Sequence, residues 1–179
     1  MNRYVVLLRG VNVGRAKRIA MADLRALLSD LGYEDVRTHL NSGNAVVSAT
    51  RTSPERVATR VQRALADRHG LEVGCVARSG DQLRATIAGL PWPERATAGA
   101  KLLAHFLSAD PDPALLEAHD PRSLDPGRIA LGERVMYQWC PDGVLAAPPA
   151  SAWLEKQTGV VATGRNWNTV TKLAAMLDA

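Results

Sequence analysis

The chain has 179 residues, 46% hydrophobic and 22% charged, with a formal net charge of +4. That is enough apolar material for one large domain or two small subdomains sharing an interface, so the chain is globular. Cys75 and Cys140 are too far apart in sequence for a pair such as C-x-x-C, so neither a metal site nor a disulfide framework is expected.

Tyr4 to Leu8 is an unbroken apolar run of strand length, the pattern of a central strand. The run is interrupted by Arg9 and is too short for a signal peptide. No stretch approaches the roughly 20 apolar residues of a spanning helix, so a cytoplasmic protein without a membrane partner is expected. The basic excess is local: up to residue 25, Arg3, Arg9, Arg15, Lys17, Arg18 and Arg25 stand against Asp23 alone. Met21, Leu24, Leu27, Leu28 and Leu31 then recur at helical spacing, and Gly32 marks the stop. Val36, Thr38 and Leu40 alternate with Arg37 and His39, Asn41-Ser42-Gly43-Asn44 reads as a turn, and Ala45 to Ser48 resumes β character. Gly43 supplies the positive φ that this turn calls for. Ser53-Pro54 opens a helix buried along Val57, Val61, Ala64 and Leu65, and Gly70 closes it before a strand expected over Glu72 to Ala77.

Ser79 caps a short helix bearing Leu83 and Ile87, and Gly89 to Gly99 has linker composition. The pattern then restarts. Leu102 to Leu107 is a strand and Asp112 to His119 a helix. Arg128 to Leu131 and Arg134 to Cys140 form a hairpin, Ser151 to Thr158 a helix closed by Gly159, and Val160 to Thr163 the last strand. A final helix, capped by Asn166 or Asn168, buries Trp167, Val170, Leu173, Ala174 and Leu177. The expected fold class is therefore α+β: two ferredoxin-like β-α-β-β-α-β halves with antiparallel sheets, plus a C-terminal helix. The expected division is 1–78 for the first half, 79–99 for a helix and linker, and 100–179 for the second half with its helix. No residue-level repeat between the halves is evident.

Arg9-Gly-Val-Asn-Val-Gly, Met21-Ala-Asp-Leu-Arg, Asn41-Ser-Gly-Asn and Thr163-Gly-Arg-Asn-Trp-Asn-Thr-Val-Thr-Lys-Leu, in this order, resemble the bacterial family called domain of unknown function 1697 (DUF1697). The similarity spans essentially the whole chain. It implies a cytoplasmic α+β protein of two related halves and attaches no activity to it. The chain carries Gly164 where that family more often has Thr.

The split β-α-β-β-α-β order places the exit of the first strand beside the central hairpin. Arg9, Gly10, Asn12, Gly14 and Lys17 should therefore neighbour Asn41, Ser42, Gly43 and Asn44, offering a guanidinium, amides, a hydroxyl and unobstructed backbone N–H groups to an anion. Arg165, Asn166 and Asn168 are expected in the same ligand set, because Arg165 to Thr169 is expected to open the last helix, where N–H groups and the dipole favour an anion. The plainer reading gives the asparagines loop and cap duties. An anionic, phosphate-bearing small molecule is the expected ligand. A nucleic-acid fragment is the weaker case, since aromatic content is only 4%. Two alternatives stay open: a small hydrolase or transferase using the same pocket, with Ser42 and His39 as its only nucleophile and base, and a homodimeric structural protein. The residues name no cofactor, catalytic group or oligomeric state.

Overall fold

The structure is a computed structural model describing residues 1–179. Packing divides it into two compact units, Met1–Arg84 with Leu173–Ala179, and Ala85–Lys172. Each holds a four-stranded antiparallel sheet, in spatial order β2 (Glu34–His39), β3 (Asn44–Ala49), β1 (Asn2–Leu8), β4 (Cys75–Ser79) in the first and β6 (Ile129–Gly132), β7 (Val135–Trp139), β5 (Leu102–Leu107), β8 (Ala162–Asn166) in the second. The chain therefore has two ferredoxin-like halves and a C-terminal helix, as its apolar periodicities predict.

In the first unit β1 (Asn2–Leu8) pairs on one side with β3 (Asn44–Ala49) and on the other with β4 (Cys75–Ser79). This central place explains why Tyr4 to Leu8 are all apolar and all buried. Tyr4, Val6 and Leu8 point toward α1 (Met21–Asp30) and α2 (Pro54–His69), where Leu24, Leu28, Val57, Val61 and Leu65 meet them. Each such leucine is worth about 1.5–3 kcal/mol of transfer free energy. α2 starts where Ser53 Oγ accepts from Arg56 N–H and ends at Gly70, whose φ is +62°. β2 (Glu34–His39) is one edge strand, paired only with β3, and β4 is the other. The C-terminal segment also belongs to this unit: the guanidinium groups of Arg3 and Arg37 donate to the carbonyls of Leu177 and Met176.

The second unit repeats the plan with β5 (Leu102–Leu107), α4 (Pro113–Ala118), β6 (Ile129–Gly132), β7 (Val135–Trp139), α5 (Ala150–Thr158) and β8 (Ala162–Asn166). Asp112 Oδ1 caps α4 by accepting from Ala114 N–H, and Gly159 closes α5 at φ +72°. The segment with linker composition is partly ordered as a 3-10 helix over Pro93–Lys101. Two helices, α3 (Gly80–Ala88) and α6 (Trp167–Asp178), have their residues divided between the units.

The closing strands depart from the sequence expectation. β4 runs to Ser79 instead of Ala77, and β8 runs to Asn166 instead of Thr163, each passing directly into a helix. Arg165 is thus a strand residue and does not open the final helix. Ser79 and Arg165–Asn166 are expected at helix starts, but ladder pairing with β1 and β5 continues through them, Ser79 opposite Tyr4 and Asn166 opposite Leu103.

The register also uncovers a repeat that the bare sequence hides. Arg9 N–H bonds the carbonyl of Gly74 and Ser108 N–H that of Val161; Leu8 N–H bonds Gly43 and Leu107 N–H bonds Arg134. These bonds match Arg78 to Arg165, Ser79 to Asn166 and Gly43 to Arg134. Arg78 and Arg165 are both buried, both alternate away from the residues packed on their unit's helices, and both donate Nη1 to the carbonyl of the residue before them.

Candidate functional site

The loop from Arg9 to Ala20 owes its shape to Asn12. This residue sits at φ +56°, a left-handed conformation that asparagine tolerates better than most. Its N–H bonds the Lys17 carbonyl at 3.0 Å, and its Oδ1 accepts from Ile19 N–H at 2.9 Å. Its Nδ2 donates to the carbonyls of Ile19 (2.9 Å) and Asn41 (2.6 Å). One amide side chain therefore closes the loop and ties it to the β2–β3 hairpin, which brings Arg9–Gly14 and Asn41–Asn44 together as the topology predicts.

Val11 and Gly43 form the packed underside. Gly43 has φ +80°, and a Cβ there would meet Leu8 Cβ and Val11 Cγ2, each at 2.7 Å. Asn44 is fully buried and donates Nδ2 to the His39 carbonyl at 3.0 Å and to Ser42 Oγ at 2.9 Å. Asn12 and Asn44 are thus engaged in building the turn. What the turn presents outward is different: Arg9, Gly10, Gly14, Arg15, Lys17, Arg18, Asn41 and Ser42 are exposed. Val13 and Leu40 stand among them with 72% and 59% exposure. Arg25 Nη1 reaches Thr38 Oγ1 at 2.6 Å and braces the hairpin from α1.

The second-unit candidates have internal roles. Arg165 Nη1 donates to Thr163 Oγ1 (2.8 Å) and to the Gly164 carbonyl (2.9 Å). Asn166 Oδ1 accepts from Thr169 N–H at 3.0 Å and is the cap of α6, which decides between the two cap candidates. The exposed Asn168 lies against Gly99, where a Cβ would fall 2.1 Å from Asn168 Oδ1.

The rim that matches Arg9–Arg18 in the second unit is chemically opposite. There the chain leaves β5 through Ser108, Ala109, Asp110, Pro111 and Asp112. Asp110 Oδ1 accepts from Arg134 N–H at 3.0 Å, and its Oδ2 lies 3.7 Å from Arg134 Nε. Of the exposed loop residues the sequence marks Lys17 for the site, whereas Arg15, Arg18, Val13 and Leu40 emerge only from the structure, because exposure of single loop residues leaves no periodic trace.

A family model described as "Protein of unknown function (DUF1697)" matches residues 1–137. The chain belongs to this family. The match takes in the Arg9 loop and the hairpin, while the Thr163–Leu173 motif lies beyond it. Among solved structures, the conserved bacterial protein SP0830 from Streptococcus pneumoniae is similar over 98% of both chains, with a TM-score of 0.73 and 24% identity. At that identity the likeness supports the DUF1697 fold and nothing further. No curated protein matches the chain. No helix is long and apolar enough to cross a membrane.

Proposed function

We propose that the protein binds an anionic, phosphate-bearing ligand at the rim formed by the Arg9–Arg18 loop and the Asn41–Ser42 turn. The observation that carries this reading is the contrast between the two units. The same loop position holds Arg9, Arg15, Lys17 and Arg18 with no acid in the first unit, and Asp110 and Asp112 in the second. The β-α-β-β-α-β frame therefore has no need of positive charge at this place, and four exposed like charges on one short loop repel one another at a cost in stability. Asn12 holds the loop in one shape, so a ligand meets donors that are already positioned.

Thermal denaturation against pyrophosphate, nucleotides and short oligonucleotides tests the reading. A ligand at about 100 times its Kd stabilises the fold by about 2.7 kcal/mol through mass action. Arg9→Ala is expected to weaken binding by about 1.5–3 kcal/mol, the range of a charge-assisted hydrogen bond, with little change in melting temperature of the free protein. A panel in which no phosphate compound raises the melting temperature overturns it.

A further inference from the structure

We infer that the partner of the basic rim is the phosphate backbone of double-stranded nucleic acid, an inference that rests on the anion-binding reading above. Three features of the rim point to this partner. Its cations are exposed and follow one another along a loop, Arg9, Arg15, Lys17 and Arg18. A row of phosphates satisfies such a series better than a single small anion does, because each neutralised phosphate releases its own counterions. Next, neither Arg9–Arg18 nor Arg37–Asn44 contains a Phe, Tyr or Trp, and their one aromatic ring, the imidazole of His39, is partly buried on β2. Single strands are held chiefly by bases stacked on a series of exposed aromatic rings, which the rim does not offer, whereas a duplex keeps its bases stacked internally and presents only backbone and groove edges. Finally, Val13, between Arg9 and Arg15 in the loop sequence, and Leu40, next to the exposed Asn41 and Ser42 in the turn, are exposed aliphatic residues. Aliphatic side chains interleaved with amides are the equipment of proteins that lay a loop along a groove.

An anionic lipid surface would answer the same charges. It fits less well, because seating Val13 and Leu40 among acyl chains would strip water from Asn41 and Ser42 beside them, whereas a groove edge supplies hydrogen-bond partners for both. The contacts assigned to the loop are to phosphates, which duplex DNA and duplex RNA share.

The test is fluorescence anisotropy of the whole protein with a labelled 20-base-pair duplex, as DNA and as RNA, beside the single strand of the same sequence. Four phosphate contacts predict a slope of log association constant against log salt near −3.6 for duplex DNA, by the usual factor of about 0.9 per contact. Arg15→Ala, Lys17→Ala and Arg18→Ala should each reduce that slope by about 0.9. Val13→Ser is expected to weaken duplex binding several-fold with the slope unchanged. All four positions are exposed, and a melting curve confirms that each variant is folded. A single strand bound more tightly than the duplex overturns the inference, as does a salt slope near zero. Co-sedimentation with vesicles of anionic lipid in the absence of duplex binding also overturns it. If pyrophosphate raises the melting temperature while no duplex binds, the duplex falls and the anion site stands. If neither has any effect, both fall together.

Discussion

Gly43 and Arg134 occupy matching hairpin positions, and both adopt positive φ, +80° and +50°. Arginine is tolerated at one, whereas at the other any side chain would start within 2.7 Å of Leu8 and Val11. Gly43→Ala therefore combines left-handed strain of about 1 kcal/mol with overpacking of about 1–3 kcal/mol. Gly10→Ala, at φ +67° with open space around it, carries the strain alone. Urea denaturation should show the first variant losing more stability than the second. Equal losses would remove the packing argument. His105 gives a second prediction at this scale. Gln138 Nε2 donates to the Pro148 carbonyl at 2.9 Å, so its Oε1 accepts from His105 Nε2 at 2.9 Å, and the imidazole is the neutral tautomer with a bare Nδ1. That nitrogen faces Gly164, which brings no side chain to it. Burial holds the imidazole pKa below its ordinary 6.5. Below pH 6.5 the unfolded chain takes up the proton that the folded chain refuses. Stability from this residue is therefore fully present above pH 6.5 and is lost as pH falls through the folded pKa. His105→Gln should flatten the loss of melting temperature between pH 7.5 and pH 5, and an unchanged slope would assign the acid sensitivity elsewhere.

Each unit ends in the same device, a strand whose last residue caps the helix that follows. Ser79 Oγ accepts from Gln82 N–H at 3.2 Å while Gln82 Oε1 accepts from Ser79 N–H at 3.0 Å, a complete capping box. Asn166 makes the corresponding single bond to Thr169. Ser79→Ala and Asn166→Ala should each lower stability by about 1 kcal/mol, because each removes one side-chain acceptor; the bond from the residue-79 N–H to Gln82 Oε1 survives in the former. Midpoints of urea unfolding with an unchanged m-value would confirm both, and a silent Asn166→Ala would break the equivalence. Much at this scale was legible in the sequence. Apolar runs, 3.6-residue spacing and the glycine stops at Gly70 and Gly159 are local signals, and they placed the six α-helices and eight strands, while the 3-10 helix Pro93–Lys101 left only a linker composition. What escaped needed the register. Arg78 and Arg165 match only once Val5 and Ala104 are known to lie opposite them, since the residues around the two arginines share little else. The polar strand ends at Ser79 and Arg165–Asn166 look like helix starts for the same reason, because a polar residue on a sheet and one at a helix start look alike until a partner strand is named. The Arg9 loop and the hairpin turn were found through topology, whereas the roles of Asn12 and Asn44 came only from their hydrogen-bond partners.

At the scale of the whole chain, the ends of the sequence meet in one unit. Leu173–Ala179 packs with Met1–Arg84, and Arg3 and Arg37 donate to carbonyls of the last helical turn. Those carbonyls have no partner within the helix, and cations near a helix C-terminus also complement its dipole. Arg84 adds ion pairs to Asp178 (3.0 Å) and Asp81 (2.9 Å), but all three side chains are well exposed, so these contribute little. The larger contribution is burial of Leu173 and Leu177, each almost fully withdrawn from solvent. Removing both side chains by truncation after Lys172 forfeits about 3–6 kcal/mol of transfer free energy, a large share of the 5–15 kcal/mol that folds a typical domain. The truncated chain is accordingly expected to lose protection of the β1 amides in hydrogen exchange, although the residues removed lie at the other end of the sequence. The double variant Arg3→Ala, Arg37→Ala separates the two contributions. It leaves the leucines in place, so it should cost less than the truncation and weaken β1 protection only partly. If the double variant destabilised the protein as much as truncation does, hydrogen bonding and not apolar burial would be what docks the tail.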